Sequence, residues 1–160
     1  NIIVLNNYAY YLSLRKSNLI RAKEMSLKCN NLEPENGTYQ DTYAWILYQM
    51  KEFKEAKKWV LKALKNGSNK SPVVVEHYGD ILYQEGNLEE AIIQYKAAIK
   101  LKPNFPLAHL NLGHALYKNL NYEDAIFHYR TALNLNPNLT VAKGSLKRVI
   151  HKLELELLLK

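Results

Sequence analysis

PVVVEHYGDILYQEGNLEEAIIQYKAAIKLKPNF, residues Pro72 to Phe105, returns in the next stretch, Pro106 to Leu139, at a spacing of 34. Gly79 falls on Gly113, Leu82 on Leu116, Tyr83 on Tyr117, Ala91 on Ala125, Tyr95 on Tyr129, Ala98 on Ala132, Leu101 on Leu135 and Pro103 on Pro137. Composition does not produce eight identities at one offset. A fixed period of roughly 20–50 residues marks stacked supersecondary units, each of which buries its apolar face against its neighbours.

Each unit predicts two helices. Val75, Tyr78, Leu82 and Tyr83 recur at helical spacing and need a surface to bury against. Glu85-Gly86-Asn87 ends that helix, with Gly86 able to supply a positive φ. The second helix carries Leu88, Ala91, Ile92, Tyr95, Ala98, Ile99 and Leu101, and Pro103 stops it. The small residues fall where two helices approach closely, and Gly79 is expected to face Ala91 and Ala98.

This pattern resembles the tetratricopeptide repeat (TPR). The Pro106 unit supplies Leu112-Gly113, Ala125, Tyr129, Ala132 and Pro137 at the positions where the motif has Leu-Gly, Ala, an aromatic, Ala and Pro. It departs from the motif at His109 and Leu116, and Leu120 stands where a turn glycine is usual. The resemblance implies an all-α fold: a right-handed superhelical solenoid of helix-turn-helix hairpins, about nine helices in all. The repeats are expected at approximately 2–36, 37–71, 72–105 and 106–139, with a capping helix over 140–160, as one domain spanning 1–160.

Composition is that of an ordinary folded protein, 48% hydrophobic and 23% charged, which argues against disorder. The net charge of +7 is unevenly spread. Seven Lys face three acids over 37–71, and five Lys and Arg face two acids over 140–160, whereas 72–105 carries five acids against three Lys. The single cysteine, Cys29, excludes an internal disulfide and lands where the motif wants a small residue, so it is expected to be a packed core thiol. No apolar run is long enough for a membrane span. Because it starts with Asn1 and runs almost at once into a repeat, the chain reads as a fragment, a processed chain or an engineered form.

The first unit is the most degenerate. Placing Ala22, Leu32 and Pro34 in register demands one extra residue before Leu19. The second unit ends in Asn66-Gly67-Ser68-Asn69-Lys70-Ser71 instead of the proline exit, so the step to the third is expected to be looser. The openings Asp41–Trp45 and Glu76–Asp80 also resemble those of bacterial, particularly Bacteroidetes, multi-repeat proteins. In the last segment Leu146, Val149, Ile150, Leu153 and Leu157 form one helical stripe. Leu155, Leu158 and Leu159 lie off it, so this end either meets another subunit, continues into chain not included here, or frays.

In the family the first helices line a concave groove. Carried over by position, the groove residues are Asn6 and Tyr10; Asp41, Trp45, Tyr48 and Gln49; Glu76, Asp80, Tyr83 and Gln84; and Leu110, His114, Tyr117 and Lys118, with Arg148 from the cap. Tyr48, Tyr83 and Tyr117 occupy one position in successive repeats, a ladder of phenols suited to clasping an extended or helical peptide. Equally, tyrosine is simply common at that position in the family. Asp41, Glu76 and Asp80 place three carboxylates on the groove wall, which would favour a protein or peptide partner with basic residues. Alternatively the wall is paired internally, for instance by Asp80 to His114. The family's chaperone-tail readers use Lys and Asn at positions held here by Asp41, Trp45, Glu76 and Asp80, which argues against that specificity.

Other functions have little support. Walker, GxSxG, HExxH and Cys-x-x-Cys motifs are absent, so no catalytic residue, cofactor or metal is expected; His77 with Asp80 is the best metal pair available. Lys51, Lys54, Lys57, Lys58, Lys62 and Lys65 follow the outer face of one helix, but no aromatic platform interleaves with them, which argues against nucleic acid. The expected function is therefore a protein-interaction scaffold that binds a peptide or partner segment in its groove. The alternative is a structural scaffold that associates with itself through its terminal repeat or C-terminal helix.

Overall fold

The computed structural model describes residues 1–159 and is all-helical over them. Nine α-helices follow one another among the described residues: α1 (Ile2–Leu14), α2 (Leu19–Leu32), α3 (Gly37–Gln49), α4 (Phe53–Lys65), α5 (Pro72–Gln84), α6 (Leu88–Leu101), α7 (Pro106–Lys118), α8 (Tyr122–Leu135) and α9 (Thr140–Leu158). Successive pairs fold into hairpins. In addition α1 touches α3, α3 touches α5, α5 touches α7 and α7 touches α9, so the odd-numbered helices line up as one continuous layer of a superhelix. No described helix is long and apolar enough to cross a membrane.

Local chemistry sets the helix ends. The Asn1 side chain accepts from the amides of Ile3 and Val4, and Asn36 accepts from Thr38 and Tyr39, each satisfying otherwise orphaned donors. Pro72 and Pro106 open α5 and α7 with a pre-set φ and no donor to lose. Every hairpin turn passes through a left-handed residue: Lys16, Lys51, Gly86 and Leu120, at φ 49°, 65°, 82° and 62°. Leu120 thus adopts the geometry of the turn glycine it replaces, at a steric cost that Gly86 avoids. The first turn also contains Asn18 at φ 49°, and this is where the extra residue before Leu19 is accommodated.

The closest approach in the third and fourth hairpins is to an aromatic ring. The nearest atoms to Gly79 belong to the ring of Tyr95, which lies between the two alanines in sequence, and an added Cβ would lie 2.7 Å from its Cε1. Gly113 meets Tyr129 in the same way at 2.6 Å. Small residues at this position therefore admit a fully buried tyrosine ring, which fills more space than the alanines reach. The exit of the second unit has its own local structure. It folds into a short 3₁₀ turn, Ser68–Lys70, that packs on α4 and α5, and Asn66 donates to the Gln40 side chain at 3.1 Å.

The longest core runs from Leu82 and Tyr95 through Leu112, Leu116 and Tyr129 to Ala142 and Val149. In α9 the apolar stripe is buried only as far as Leu153; Leu157, expected in the stripe, is 66% exposed beyond the last hairpin. Cys29 is fully buried with its thiol 3.6 Å from the Ile2 carbonyl, and burial pushes its ionisation up, as a packed thiol requires.

Candidate functional site

The odd-numbered helices carry their polar side chains on a shared face, and a seam of hydrogen bonds crosses it from α3 to α9. His77 Nδ1 lies 3.0 and 3.1 Å from the two oxygens of Asp41. Asn111 donates to Glu76 at 2.6 Å and to Asp80 at 3.0 Å. His114 Nε2 and the Ser145 hydroxyl are 3.0 Å apart. His77, Asn111 and Ser145 are spaced 34 apart, so one position of the repeat ties α5 to α3, α7 to α5 and α9 to α7.

This seam changes the reading of the three carboxylates. Asp41 and Glu76 are 7% and 5% exposed and already partnered, and Asp80 accepts from the Tyr95 hydroxyl at 2.7 Å as well as from Asn111. The wall expected to attract a basic ligand is thus largely committed to internal bonds. The expected Asp80–His114 bond does not form, because Tyr95 and Asn111 take Asp80 and Ser145 takes His114. His77 turns its Nδ1 to Asp41 rather than to Asp80, and no group of three or more metal-ligating side chains gathers among the described residues.

Ionisation follows this packing. Burial opposes a charged His77, but the Asp41 carboxylate, with Glu76 and Asp80 behind it, outweighs burial and raises the imidazole to about 9. The Asp41–His77 contact is therefore a buried ion pair at neutral pH. Burial lifts Asp80 well above the usual carboxylate range, with Glu76 adding to the effect, and burial raises Glu76 too. Trp45 stacks on His77, centroids 4.0 Å apart, and on Tyr48 at 4.8 Å, so the ion pair holds an aromatic platform in place. The Trp45 indole N–H and the Asn6 side-chain oxygen are buried without a protein partner.

Three cavities follow one another along the face. The first, about 340 Å³, is lined by Asn6, Tyr10, Asp41 and Thr42 together with Ser68 and Ser71 of the inserted turn. The second, about 130 Å³, is lined by Tyr48, Asp80, Tyr83, Gln84, Tyr95, Asn111 and His114. The third, about 140 Å³, is lined by Tyr83, His114, Tyr117, Lys118, Tyr129, Ser145 and Arg148. Of the expected groove residues, Asn6, Tyr10, Asp41, Asp80, Tyr83, His114 and Tyr117 therefore meet these cavities, with Tyr48 beside Tyr83. Glu76 and Trp45 lie beneath them as support. Leu110, at the same repeat position as Glu76, is 6% exposed, packs in the core cluster and lines none of the three cavities. Sequence reasoning named His77 only as a metal partner for Asp80 and missed Asn111 and Ser145, although the common spacing of the three was visible. It also missed Ser68 and Ser71, whose signal was the departure from the repeat.

The lysines of α4 are partly engaged within the protein. Lys57 pairs with Glu85 and Lys58 with Glu55, both at 2.8 Å, and Lys62 lies 4.3 Å from the Trp59 ring centroid. A wider apolar cavity of about 530 Å³ opens on the second-helix side, among Leu64, Val75, Ala97 and Leu101.

Two comparisons bear on this arrangement. Residues 79–119 match the family model described as a TPR repeat, and residues 106–139 match the one described as the tetratricopeptide repeat. The chain carries tetratricopeptide repeats over residues 79–139. Solved TPR-like structures share the fold across most of it. PilF of Pseudomonas aeruginosa superimposes with a TM-score of 0.82 at 22% identity, covering 96% of this chain and 71% of the other. The first TPR of Spaghetti (RPAP3), bound to the HSP90 peptide SRMEEVD, gives 0.72 at 18% identity over 75% and 94%. MamA gives 0.72 at 18% identity over 86% and 79%. At these identities the likeness is one of fold. Among curated protein sequences, none matches this chain significantly.

Proposed function

We propose that this protein is an interaction scaffold whose odd-helix face holds an extended segment of a partner protein. The observation that carries this is the succession of three cavities on one face, two of them sharing Tyr83 and flanked by Tyr48 and Tyr117. Tyrosine offers a broad apolar ring and a hydroxyl at small entropic cost, and such anchors dominate binding when they are clustered and partly desolvated. The buried ion pair beneath Trp45 and Tyr48 pre-orders the platform, which lowers the cost of docking a flexible chain. The RPAP3 domain, holding a peptide of HSP90, supports the idea that this fold can accommodate one.

The test is selection from a random peptide library against the intact chain and against the variant Tyr48→Ala, Tyr83→Ala, Tyr117→Ala. Binders should be recovered by the parent and weakened at least ten-fold in a variant that keeps its helicity, in line with the roughly 2 kcal/mol typical of such anchors. Equal binding by both proteins would rule this face out as the site.

A second reading rests on α9, where Leu155, Leu157, Leu158 and Leu159 are 44%, 66%, 83% and 86% exposed. An apolar helix end of this kind suits self-association through the C-terminal helix. Sedimentation equilibrium checks it: a monomer at all concentrations would exclude it.

A further inference from the structure

Two histidines of the fourth hairpin meet where the third hairpin has no such pair. His109 of α7 stands where the preceding unit has Val75, and His128 of α8 where it has Gln94. Their Nδ1 atoms are 3.0 Å apart, with ring centroids at 5.3 Å and planes inclined by 31°. The other nitrogen of His109, Nε2, lies 3.1 Å from the Pro103 carbonyl. A carbonyl oxygen accepts and never donates, so Nε2 carries the proton, and the lone pair of the neutral ring is left on Nδ1, toward His128. A backbone carbonyl holding the far nitrogen in this way is the usual setting of a metal-bound imidazole. With one tautomer fixed, His128 has two choices. Donating from Nδ1 makes a hydrogen bond between the rings, whereas carrying its proton on Nε2 turns two lone pairs toward one point, where a cation would join them.

The spacing suits such an ion. Two nitrogens at about 2.0–2.1 Å from one metal are about 2.9 Å apart when they subtend a right angle and about 3.3 Å apart at the tetrahedral angle. The observed 3.0 Å lies near the right angle, which Ni²⁺ and Cu²⁺ favour with imidazole ligands. Asp124, one turn before His128, is not a third ligand: its carboxylate accepts from Asn121 at 2.8 Å, and no larger ligand group gathers among the described residues. Water therefore fills the other positions. We propose that His109 and His128 form a two-histidine chelate for a divalent late transition metal ion, Ni²⁺ or Cu²⁺, bound through both Nδ1 atoms. On binding, the His128 proton passes from Nδ1 to Nε2, two nitrogen–metal bonds replace the hydrogen bond between the rings, two waters leave the ion, and no net proton is released. The pair lines none of the three cavities of the peptide face, so the two sites are independent.

The test is calorimetric titration of the intact chain with Ni²⁺ and with Cu²⁺, beside two variants. His109→Val with His128→Gln installs the residues that the preceding hairpin already uses at these positions, so the fold should persist in helicity and melting temperature. His151→Gln removes an exposed histidine as a control for binding to any imidazole. The parent should take up one ion per chain, the double variant should bind it more weakly by about ten-fold or more, and His151→Gln should bind as the parent does. Electron paramagnetic resonance of the Cu²⁺ form should show two coordinated nitrogens. In nitrogen NMR, Ni²⁺ should broaden the ring signals of His109 and His128 before those of His77 and His114. Equal affinity in the double variant, a loss shared with His151→Gln, or a copper spectrum with fewer than two nitrogens would overturn the site. Should the double variant unfold, the parent's ring signals decide: His109 and His128 unmoved by the ion would refute it.

Discussion

Raising the pH should loosen this protein from the middle of its groove outward. The group responsible is His77, which titrates near 6.5 when unfolded and at about 9 in the folded protein because Asp41 holds its proton. A folded pKa above the unfolded one means that the native state binds the proton more tightly. The resulting stability is complete below pH 6.5 and is lost as the pH rises through about 9. At about 1.4 kcal/mol per pH unit, the interval from 6.5 to about 9 corresponds to roughly 3 kcal/mol. His77 is 4% exposed, so solvent screening takes little from this figure. For a chain of this length the melting temperature should fall by about 6–12 °C across the interval. Urea unfolding at a series of pH values measures the stability, and NMR titration of the His77 ring measures its ionisation. Glu76 and Asp80, also raised, act in the same sense but in a more acidic window, from their ordinary values near 4 upward. A stability that is flat or increasing from pH 6.5 to 9, or a His77 ring that titrates at or below 6.5, would refute the buried ion pair.

Two further substitutions test the packing. Leu120→Gly should stabilise the protein by about 1 kcal/mol and raise its melting temperature by about 2–4 °C, because Leu120 is 73% exposed and gives up only a strained left-handed backbone. Gly79→Ala should destabilise by roughly 1–2 kcal/mol in urea unfolding even though alanine is the better helix former. The new methyl would meet the Tyr95 ring at 2.7 Å, and that ring is anchored by its hydroxyl to Asp80.

The fold was legible because its signal repeats. A period of 34 fixed the hairpins, and the demand for one extra residue before Leu19 followed from register alone. Close packing was less legible. Gly79 was matched with alanines by pattern, and nothing in the pattern showed that the Tyr95 ring would be its nearest neighbour. The site was half legible for a related reason. Position in the repeat named residues that face the groove, but not which of them would be occupied by their neighbours. Asp41, Glu76 and Asp80 looked like an open acidic wall until His77 and Asn111, one unit further on, were seen to reach back to them. Charge along the chain predicts a ligand only after such pairs are removed.

The most direct measurement is to titrate a library-selected peptide into isotopically labelled protein and follow the backbone and indole resonances. The account predicts changes along α1, α3, α5, α7 and the start of α9, with the Trp45 indole and residues around Tyr48, Tyr83 and Tyr117 among the most affected. Changes confined to α4, α6 and α8, or to the apolar end of α9, would contradict it.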